Sequence, residues 1–557
     1  MQQKWWKESV VYQVYPRSFM DSNGDGIGDI QGIIQKLDYL NNLGIDVIWI
    51  CPMYKSPNDD NGYDISDYQD IMEEFGCMED FNELLEEVHI RDMKLIIDLV
   101  INHTSDEHPW FIESSSSKEN PKRDWYIWQK GRNGHPPNNW ESIFGGSIWE
   151  YDEQTEEYYM HLFSRRQPDL NWENPNVRNA LYNMVNWWLD KGIDGFRIDA
   201  ISHIKRQPGF PNMPNPEKLD VVPAAKYTTN VKGIENFLSE FSNKTIKNYD
   251  VMTVGEAGGV SVEDSEFWVS EDDGCFDMIF QFDHVGLWDK GTQNNKEILG
   301  FKRALTKWQE GLQGKGWNAL FLENHDLPRS VSCWGDEELY WNESSKMLAT
   351  VYFLMQGTPF IYQGQEIGMT NVRFDNIEDY NDVGMLNYYK LKKQQGMSHE
   401  DLMEVVWSKC RDNSRTPMQW NSEDNAGFST SKSTWLKLNQ NYVSINVDAQ
   451  MKEENSILNY YKDLIQLRKK HKLFVYGSYQ LLLPDHPEIF AYLRDFQGQK
   501  GLIIGNMTDR TTDFQLPNDL NFNHASLELT NYKIKQPTLK RKMTFEPFES
   551  CVYLFNK

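Results

Sequence analysis

The sequence predicts an α/β protein: a (β/α)8 TIM barrel with a subdomain inserted after strand 3 and a C-terminal antiparallel β domain. Apolar, strand-like runs alternate with amphipathic stretches of helical spacing along most of the 557 residues. We count eight such runs, which is the number that a (β/α)8 barrel requires. Several runs are nearly continuous in Val, Ile, Leu and Phe, as expected for parallel strands that are covered on both faces.

The predicted strands and the helices between them follow the chain in regular order. The strand runs are Ser9–Tyr15, Asp46–Cys51, Lys94–Val100, Gly195–Ala200, Met252–Ala257, Phe276–Phe282, Trp317–Asp326 and Thr358–Gln363. The clearest helical patterns are Ile30–Leu43, Met78–His89, Val177–Lys191 and Phe301–Leu312. Each helical pattern is long enough to connect two parallel strands.

Two parts of the chain interrupt this alternation. The stretch from Thr104 to Asp169 is too long for a loop and is rich in Trp, Tyr, Asn, Pro and Ser, which indicates an inserted subdomain. After the long helix Asn455–Lys472, short alternating β segments indicate a small antiparallel domain. We therefore divide the chain into barrel residues 1–103, inserted subdomain 104–170, barrel residues 171–476 and C-terminal β domain 477–557.

Composition excludes several classes of partner. The chain has 56 Lys and Arg against 83 Asp and Glu, a net charge of −27, which disfavours nucleic acid and anionic membrane surfaces. The N-terminal residues lack an apolar signal region, and no run is long enough to span a membrane. The six cysteines include no C-x-x-C pair, which argues against a disulfide framework or a zinc site. We expect a cytoplasmic protein that is a monomer or a weak homodimer. Its many aromatic residues are suited to stacking on sugars.

Ionisable residues stand where the predicted strands end. The third strand ends in Asp98–His103, the fourth in Gly195–Ala200, the fifth in Val254–Ala257 and the seventh in Glu323–Asp326. Barrel enzymes carry their working side chains at these ends, and buried acids are costly unless they are paired or used. The pattern therefore indicates an enzyme active site rather than a set of structural carboxylates.

Arg197 and Asp199 are two residues apart on a strand and so share one face. We expect the guanidinium to keep Asp199 ionised, as a nucleophile requires, although an ordinary ion pair is the alternative. The neighbouring strand brings Glu256 close to Asp199. Two carboxyl groups about 5–5.5 Å apart suit a double displacement at a sugar carbon, and a wider gap suits inversion. Spacing in the sequence leaves these two outcomes open.

With these residues the chain resembles the α-amylase superfamily of retaining glycoside hydrolases, and within it the bacterial α-glucosidase and oligo-1,6-glucosidase group. The resemblance covers nearly the whole chain. It rests on several segments in order along the chain, namely Val11–Phe19, Asp98–His103, Gln167–Asn171, Gly195–Asp199, Glu256 and His325–Asp326. Each segment is weak alone, but their order at barrel-strand spacing is specific.

The resemblance implies the roles of three carboxylates. Asp199 would be the nucleophile, Glu256 the general acid/base, and Asp326 the third carboxylate, which binds the glucose 2- and 3-hydroxyls. Such a mechanism needs a raised pKa for Glu256 and a lowered pKa for Asp199. We expect Arg197 and the neighbouring carboxylates to supply this difference.

The resemblance also implies the residues of a glucose pocket. His103 and His325 would bind sugar hydroxyls, and Tyr63 would stack on the ring. Asp60 and Arg411 would close the far end of the pocket, which makes an exo-acting enzyme. In place of substrate binding, Asp60 could stabilise an Asx turn and Arg411 could form a surface ion pair. The full predicted set is Asp60, Tyr63, His103, Phe144, Phe163, Gln167, Arg197, Ala200, His325 and Arg411.

The loop Asp21–Asp29 places oxygen-bearing side chains at alternate positions, as calcium loops do. An EF-hand is excluded, because Gly32 stands where the twelfth-position Glu is needed and a strand precedes the loop. The resemblance implies a structural Ca2+, and no organic cofactor, with a metal-free turn as the alternative. The implied ligands are Asp21, Asn23, Asp25, Asp29 and the Ile27 carbonyl.

Ala200, directly after the predicted nucleophile, bears on the linkage. In similar enzymes Val at this place accompanies α-1,6 cleavage, and Ala or Thr accompanies α-1,4 cleavage. An apolar change of this size is worth about 1–3 kcal/mol, so it shifts a preference without forbidding the other bond. We therefore predict a retaining exo-α-glucosidase that releases α-glucose from maltose and short malto-oligosaccharides. The alternative is an oligo-1,6-glucosidase.

More distant alternatives share the scaffold. The Arg-Leu-Asp-Arg-Asp string of sucrose isomerases is absent, which disfavours that sucrose-active group. A trehalose-6-phosphate hydrolase needs a basic phosphate clamp, which distant Lys and Arg residues could form. Non-catalytic, transporter-associated subunits have a membrane span and have lost catalytic carboxylates, and a carbohydrate-binding module needs no catalytic triad. The sequence therefore favours an enzyme.

Overall fold

The computed structural model describes residues 2–289, 297–522, 524–533 and 538–556. Within these residues a parallel sheet of eight strands confirms the predicted (β/α)8 barrel. Each strand lies inside one of the predicted runs. The strands are β1 Val11–Val14, β2 Val47–Ile50, β3 Lys94–Val100, β4 Gly195–Asp199, β5 Met252–Glu256, β6 Met278–Phe280, β7 Ala319–Leu320 and β8 Thr358–Tyr362.

The sheet closes almost completely into a cylinder. Its strand order is β6-β5-β4-β3-β2-β1-β8-β7, and a single parallel bridge between Ile279 and Asn318 joins the two edges. The interior is filled by large apolar side chains, among them Val11, Trp49 and Phe280. Because all eight strands run in one direction, their carboxyl ends form a single rim.

Amphipathic helices cover the outside of the barrel. The predicted helix Ile30–Leu43 is interrupted at Lys36, and the other predicted helices form with shifts of one or a few residues. The helices that cover the barrel are Ile30–Gln35, Leu37–Leu43, Met78–Ile90, Pro175–Asp190, Ile234–Lys244, Ser265–Val269, Ile298–Leu312, Ser330–Trp334, Trp341–Phe353 and Ile457–Lys470. Further helices are Trp5–Glu8, Pro109–Ser116, Ala225–Thr228, Val383–Gln394, His399–Lys409, Asp412–Arg415, Val447–Lys452 and Leu473–Tyr476.

The segment after β3 forms the inserted subdomain. It contains a small antiparallel sheet of Trp128–Gln129, Glu157–Met160 and Trp149–Asp152. Another of its strands, Trp140–Glu141, pairs with Val222–Pro223, which follows β4. The subdomain therefore packs against a segment outside the predicted range 104–170, because strand pairing brings together residues that are distant in the sequence.

The C-terminal residues form the predicted antiparallel sheet. Lys302, on a barrel helix, fixes it to the barrel by donating hydrogen bonds to three carbonyls, those of Leu483, His486 and Ile489, at 2.8–2.9 Å. The larger sheet consists of Ser478–Leu482, Ile489–Phe496, Gln499–Asn506, Ser526–Thr530 and Ser550–Asn556, and a smaller one of Thr512–Gln515 and Lys542–Phe545.

The segment after β8 holds two helices, Val383–Gln394 and His399–Lys409, which the sequence analysis did not identify. They pack together through a small apolar cluster of their own. In the part of the chain that the structure describes, no helix is both long and apolar enough to cross a bilayer.

Candidate active site

A cavity of about 270 Å3 opens at the carboxyl-terminal rim of the barrel. The three predicted catalytic carboxylates all line it, together with most of the predicted glucose pocket. The lining residues are Asp60, Tyr63, His103, Ile143, Phe144, Phe163, Asp199, Ala200, His203, Glu256, Gly258, Asp326 and Arg411. Three predicted residues, Gln167, Arg197 and His325, lie behind this lining and contact it.

Arg197 holds the carboxylates of three strands together. The register of β3 and β4 places it opposite Asp98, and its Nη1 lies 2.7 Å from both Asp98 Oδ1 and Asp199 Oδ1. Its Nη2 lies 2.6 Å from Glu256 Oε2. Arg197 and Asp199 therefore share one face of β4, as their spacing predicts, and Glu256 approaches the same guanidinium from β5.

The chain turns sharply directly after Asp199. Ala200 adopts a left-handed conformation with φ of 45°, and its N–H donates a hydrogen bond to Glu256 Oε2 at 3.0 Å. Left-handed geometry is uncommon for residues with a side chain and is most costly for β-branched ones. The turn therefore links the predicted nucleophile to the predicted acid/base through one backbone hydrogen bond.

The pKa of Asp199 differs from the sequence-based expectation. Burial raises the pKa of Asp199 well above its usual range, and the carboxylates of Glu256, Asp98 and Asp326 raise it further. Arg197 acts in the opposite direction but does not outweigh them. The expectation that Arg197 lowers this pKa neglected the surplus of carboxylates around one guanidinium. Such a surplus of carboxylates favours a retained proton in this cluster.

Asp326 lies in a cationic environment. Its carboxylate is 3.0 Å from His325 Nε2, 2.7 Å from Arg415 Nη2 and 3.4 Å from Arg411 Nη1. Burial opposes its ionisation, but these three cations hold the pKa of Asp326 well below its usual range. Burial likewise opposes the charged form of His325, yet Asp326 raises the pKa of His325 to about 10. Asp326 is therefore an anion at neutral pH.

Tyr63 and His325 stack in parallel, with ring centroids 5.2 Å apart. The hydroxyl of Tyr63 donates to Asp98 Oδ2 at 3.0 Å, which fixes the ring at the cavity wall. The ring nitrogens of His325 contact Gln13 at 2.8 Å and Asp326 at 3.0 Å. A hydrogen bond from His325 to a sugar hydroxyl stays a prediction.

An ion pair lies in the wall of the cavity. Arg411 Nη2 lies 3.1 Å from Asp60 Oδ1, and behind them Gln167 Nε2 lies 3.1 Å from Asp60 Oδ2 and 3.2 Å from His103 Nε2. Burial lowers the pKa of His103 to about 4, so its imidazole is neutral. The ring of Phe144 lies under Arg411, 4.9 Å from the guanidinium carbon. The surface-ion-pair alternative for Arg411 is therefore wrong.

Asp382 anchors Arg411, and the sequence analysis did not identify it. Its carboxylate accepts hydrogen bonds from Arg411 N at 3.0 Å and Nε at 2.9 Å, and also from the first turn of helix Val383–Gln394. Burial opposes its ionisation, but Arg411 outweighs burial and lowers the pKa of Asp382 to about 2. No motif marks Asp382, because it meets Arg411 only through the fold.

Other residues of the site were also missed. Asp98 stands inside the segment Asp98–His103 that the sequence analysis singled out, so strand register could have identified it. Arg415 contacts Asp326 only through the fold. Ile143 and Gly258 line the cavity from loops, and His203 lines it from the short 3-10 helix Ile201–His203. The sequences of these segments carry no distinguishing pattern.

The predicted calcium loop is built from Asx turns. Asp21 accepts hydrogen bonds from the backbone of Asn23 and Gly26, and Asp25 accepts one from Ile27. Asp29 accepts from Gly32 and caps helix Ile30–Gln35. Across the described residues, no group of three or more His, Cys, Asp or Glu side chains is placed to hold a metal ion. The oxygen donors suit a hard cation such as Ca2+, and calcium binding stays a prediction.

Comparison with known proteins agrees with this geometry. Residues 13–477 match the family described as alpha amylase, catalytic domain. The chain is 57% identical to "Probable oligo-1,6-glucosidase 3" of Bacillus subtilis over 100% of both chains. It is 51% identical to "Oligo-1,6-glucosidase" of Parageobacillus thermoglucosidasius over 99% of both. The solved structure of trehalose-6-phosphate hydrolase from Bacillus licheniformis, 44% identical, covers 100% of both chains with a TM-score of 0.93.

The family match spans more than half of the chain, and these relatives share its full length. A barrel with this insertion, and with carboxylates on the rim of β4 and β5, agrees with that match. The chain belongs to the α-amylase family of glycoside hydrolases.

Proposed function

We propose that the protein is a retaining exo-α-glucosidase that releases α-glucose from the non-reducing end of short α-glucosides. One observation supports this most strongly: Asp199 and Glu256 contact the same guanidinium in a small cavity that also holds Asp326. A carboxyl pair of this kind is what glycosidic bond cleavage requires.

In the proposed reaction, Asp199 attacks the anomeric carbon while Glu256 donates its proton to the glycosidic oxygen. The glycosidic bond breaks, the leaving group departs as an alcohol, and a glucosyl ester forms on Asp199. Water then attacks the same carbon and gives a proton to Glu256. This step releases α-glucose and restores the Asp199 carboxylate and the protonated Glu256. The surplus of carboxylates around Arg197 supports the retention of one proton, and the chemistry needs that proton on Glu256.

The remaining lining residues would bind the glucose ring. Asp326, an anion at neutral pH, would accept hydrogen bonds from sugar hydroxyls, and the neutral His103 could donate or accept. The Asp60–Arg411 pair lies in the cavity wall, and we propose that it closes one end of the cavity to a longer chain. This closure supports exo action.

Ala200 supports a preference for α-1,4 bonds, and maltose and short malto-oligosaccharides are the proposed substrates. Its methyl group leaves space in the cavity wall next to Asp199. A second candidate is α-1,6 cleavage, which is favoured by the names of the two oligo-1,6-glucosidase relatives. Trehalose-6-phosphate is a third substrate to test, because the Bacillus licheniformis relative is named for its hydrolysis.

Asp199→Asn should lower kcat for maltose by at least about 10^4-fold, because an amide cannot form the glucosyl ester. Glu256→Gln should lower it by about 10^2- to 10^4-fold, with a smaller loss for a 4-nitrophenyl glucoside, whose leaving group needs no proton. Proton NMR of the wild-type reaction should show α-glucose first. Asp485→Asn, at a carboxylate that is 91% exposed, is the control. Activity retained by Asp199→Asn, or β-glucose as the first product, would contradict the proposal.

Ala200→Val should lower the ratio of kcat/KM for maltose to kcat/KM for isomaltose by about tenfold or more. The added methyl groups narrow the cavity beside the leaving sugar, and a β-branched residue strains the left-handed turn at position 200. Ala200→Gly is the matched control, because glycine tolerates this turn and keeps the wall open. An unchanged ratio in Ala200→Val would show that this wall does not set the linkage.

Asp382→Ala should raise KM for maltose by about tenfold with a smaller effect on kcat. Arg411 loses its anchor, but the groups around Arg197 remain in place. Loss of a charge-assisted hydrogen bond to a buried group typically costs about 1.5–3 kcal/mol. Asp379→Ala, on the same segment but paired with the exposed Lys437, is the control. A fall in kcat at constant KM would contradict a positioning role for Asp382.

We also propose that the loop 21–29 binds a structural Ca2+ through Asp21, Asn23, Asp25, Asp29 and the Ile27 carbonyl. Binding to the folded state alone would stabilise it, so EDTA should lower the Tm and added Ca2+ should restore it. Asp25→Ala should abolish this response to Ca2+. Equal Tm values with EDTA and with Ca2+ would indicate a metal-free turn.

A further inference from the structure

Residues 59–64, which follow β2, carry two residues of the glucose pocket at the barrel rim, Asp60 and Tyr63. We call these residues the pocket turn. Within it, the N–H of Tyr63 donates to the carbonyl oxygen of Asp60 at 3.1 Å. The turn also reaches a third pocket residue, because His103 Nε2 lies 3.1 Å from the carbonyl oxygen of Tyr63. The conformation of this one turn therefore sets the relative positions of three pocket residues.

The carboxylate of Asp64 holds the pocket turn from within. Asp64 is fully buried, and each of its carboxylate oxygens accepts one backbone N–H. Oδ2 accepts from Asp59 at 2.8 Å, and Oδ1 accepts from Asp60 at 3.0 Å. The hydroxyl of Ser56 donates a further hydrogen bond to this carboxylate. Asp64 lies outside the described lining of the glucose pocket, so it acts on a substrate through the residues that it holds.

The two residues whose N–H groups are held in this way contact other parts of the protein. The carboxylate of Asp60 lies 3.1 Å from Arg411 Nη2 and accepts a hydrogen bond from Gln167 Nε2 at 3.1 Å. The carboxylate of Asp59 accepts a hydrogen bond from the hydroxyl of Ser164 in the inserted subdomain. Weakening either backbone hydrogen bond therefore frees a carboxylate that would otherwise stay aligned with its partner.

The hydrogen bonds described for the Asp64 carboxylate come from uncharged donors. Burial raises the pKa of Asp64 to about 7, and the nearby carboxylate of Asp60 also raises it, although the hydrogen bonds that Asp64 accepts lower it. The charged side chains that meet at this turn act on Asp60 instead. Burial raises the pKa of Asp60, Arg411 and Arg415 lower it, and Asp326 raises it. Asp64 is therefore protonated below about pH 7 and anionic above it.

The charge of Asp64 changes how firmly it holds the turn. An ionised carboxylate has two acceptor oxygens, so both N–H groups receive charge-assisted hydrogen bonds. A protonated carboxyl carries its O–H on one oxygen, so one of the two hydrogen bonds is weakened and the other loses the contribution of the charge.

We propose that Asp64 is a positioning residue that makes glucose binding pH-dependent: its ionised carboxylate holds the pocket turn, and with it Asp60 and Tyr63, in the arrangement that binds the sugar. This inference rests on the proposed function, because it assigns pH control to the same glucose pocket. Glucose should therefore bind more tightly as the pH rises through about 7.

The test is the inhibition constant of D-glucose against hydrolysis of 4-nitrophenyl α-glucoside, measured from about pH 5.5 to about pH 8.5. Asp64→Asn keeps one acceptor oxygen and places an NH2 group where the second one stood, as in the protonated acid. The ratio of this constant in Asp64→Asn to that in wild type should be near one at the acidic end. It should rise to about five- to tenfold at the basic end. Titration of the catalytic carboxyl groups affects both proteins and cancels in the ratio.

Asp67→Asn is the matched control. Asp67 is an exposed carboxylate of the same segment, and it also accepts a backbone N–H, that of Gln69 at 2.9 Å. Its ratio to wild type should stay near one at every pH.

Ser56→Ala tests the same titration with the Asp64 carboxylate in place. The hydroxyl of Ser56 lowers the pKa of Asp64, so its removal should raise that pKa. The midpoint at which glucose inhibition strengthens should move upward by about 0.5 to 1 pH unit. This variant and wild type decide the question if Asp64→Asn does not fold.

The outcomes separate this inference from the proposed function. A ratio for Asp64→Asn that is the same at every pH would show that Asp64 is merely structural, and would overturn the inference alone. An unmoved midpoint in Ser56→Ala would overturn it too. In both cases hydrolysis of α-glucosides by wild type leaves the proposed function intact. Failure of wild type to hydrolyse any α-glucoside would overturn the proposed function together with this inference.

Discussion

The buried guanidinium of Arg197 is the interaction on which the site depends. It contacts carboxylates from three successive strands, and each contact exists only because β3, β4 and β5 pair in one register. Removing these charges from water is costly, and the cost is offset only while all partners remain in place. The barrel therefore does more than support the site, because its strand register sets the positions of Asp199 and Glu256 relative to each other.

Charge is distributed unevenly across the cavity. Around Arg197 the carboxylates outnumber the cations, which raises the pKa of Asp199 and favours a retained proton. Around Asp326 the cations dominate, so that carboxylate is ionised. Two carboxyl groups in one cavity can thus differ in protonation at the same pH.

Loops and inserted segments supply the parts that surround the rim. Asp382 begins a helix after β8 and also holds Arg411 against Asp60, so one carboxylate joins that helix to the Asp60–Arg411 pair in the cavity wall. The inserted subdomain contributes Phe144 below the same guanidinium. Rigid strands therefore position the reacting groups, and the segments between them determine the size and polarity of the space around a substrate.

The sequence by itself determined the barrel, because eight apolar runs alternate with helical patterns, and it located the rim carboxylates, because Asp199 and Glu256 end such runs. Only the tertiary structure decided the anchoring of Arg411 by Asp382 and the pairing of Trp140–Glu141 with Val222–Pro223. The direction of the pKa shift of Asp199 belongs to the same group. The physical reason is the separation of the interacting residues along the sequence. Periodicity and strand ends are local properties of the chain. Burial, charge balance and cavity walls arise from distant residues that meet only after folding.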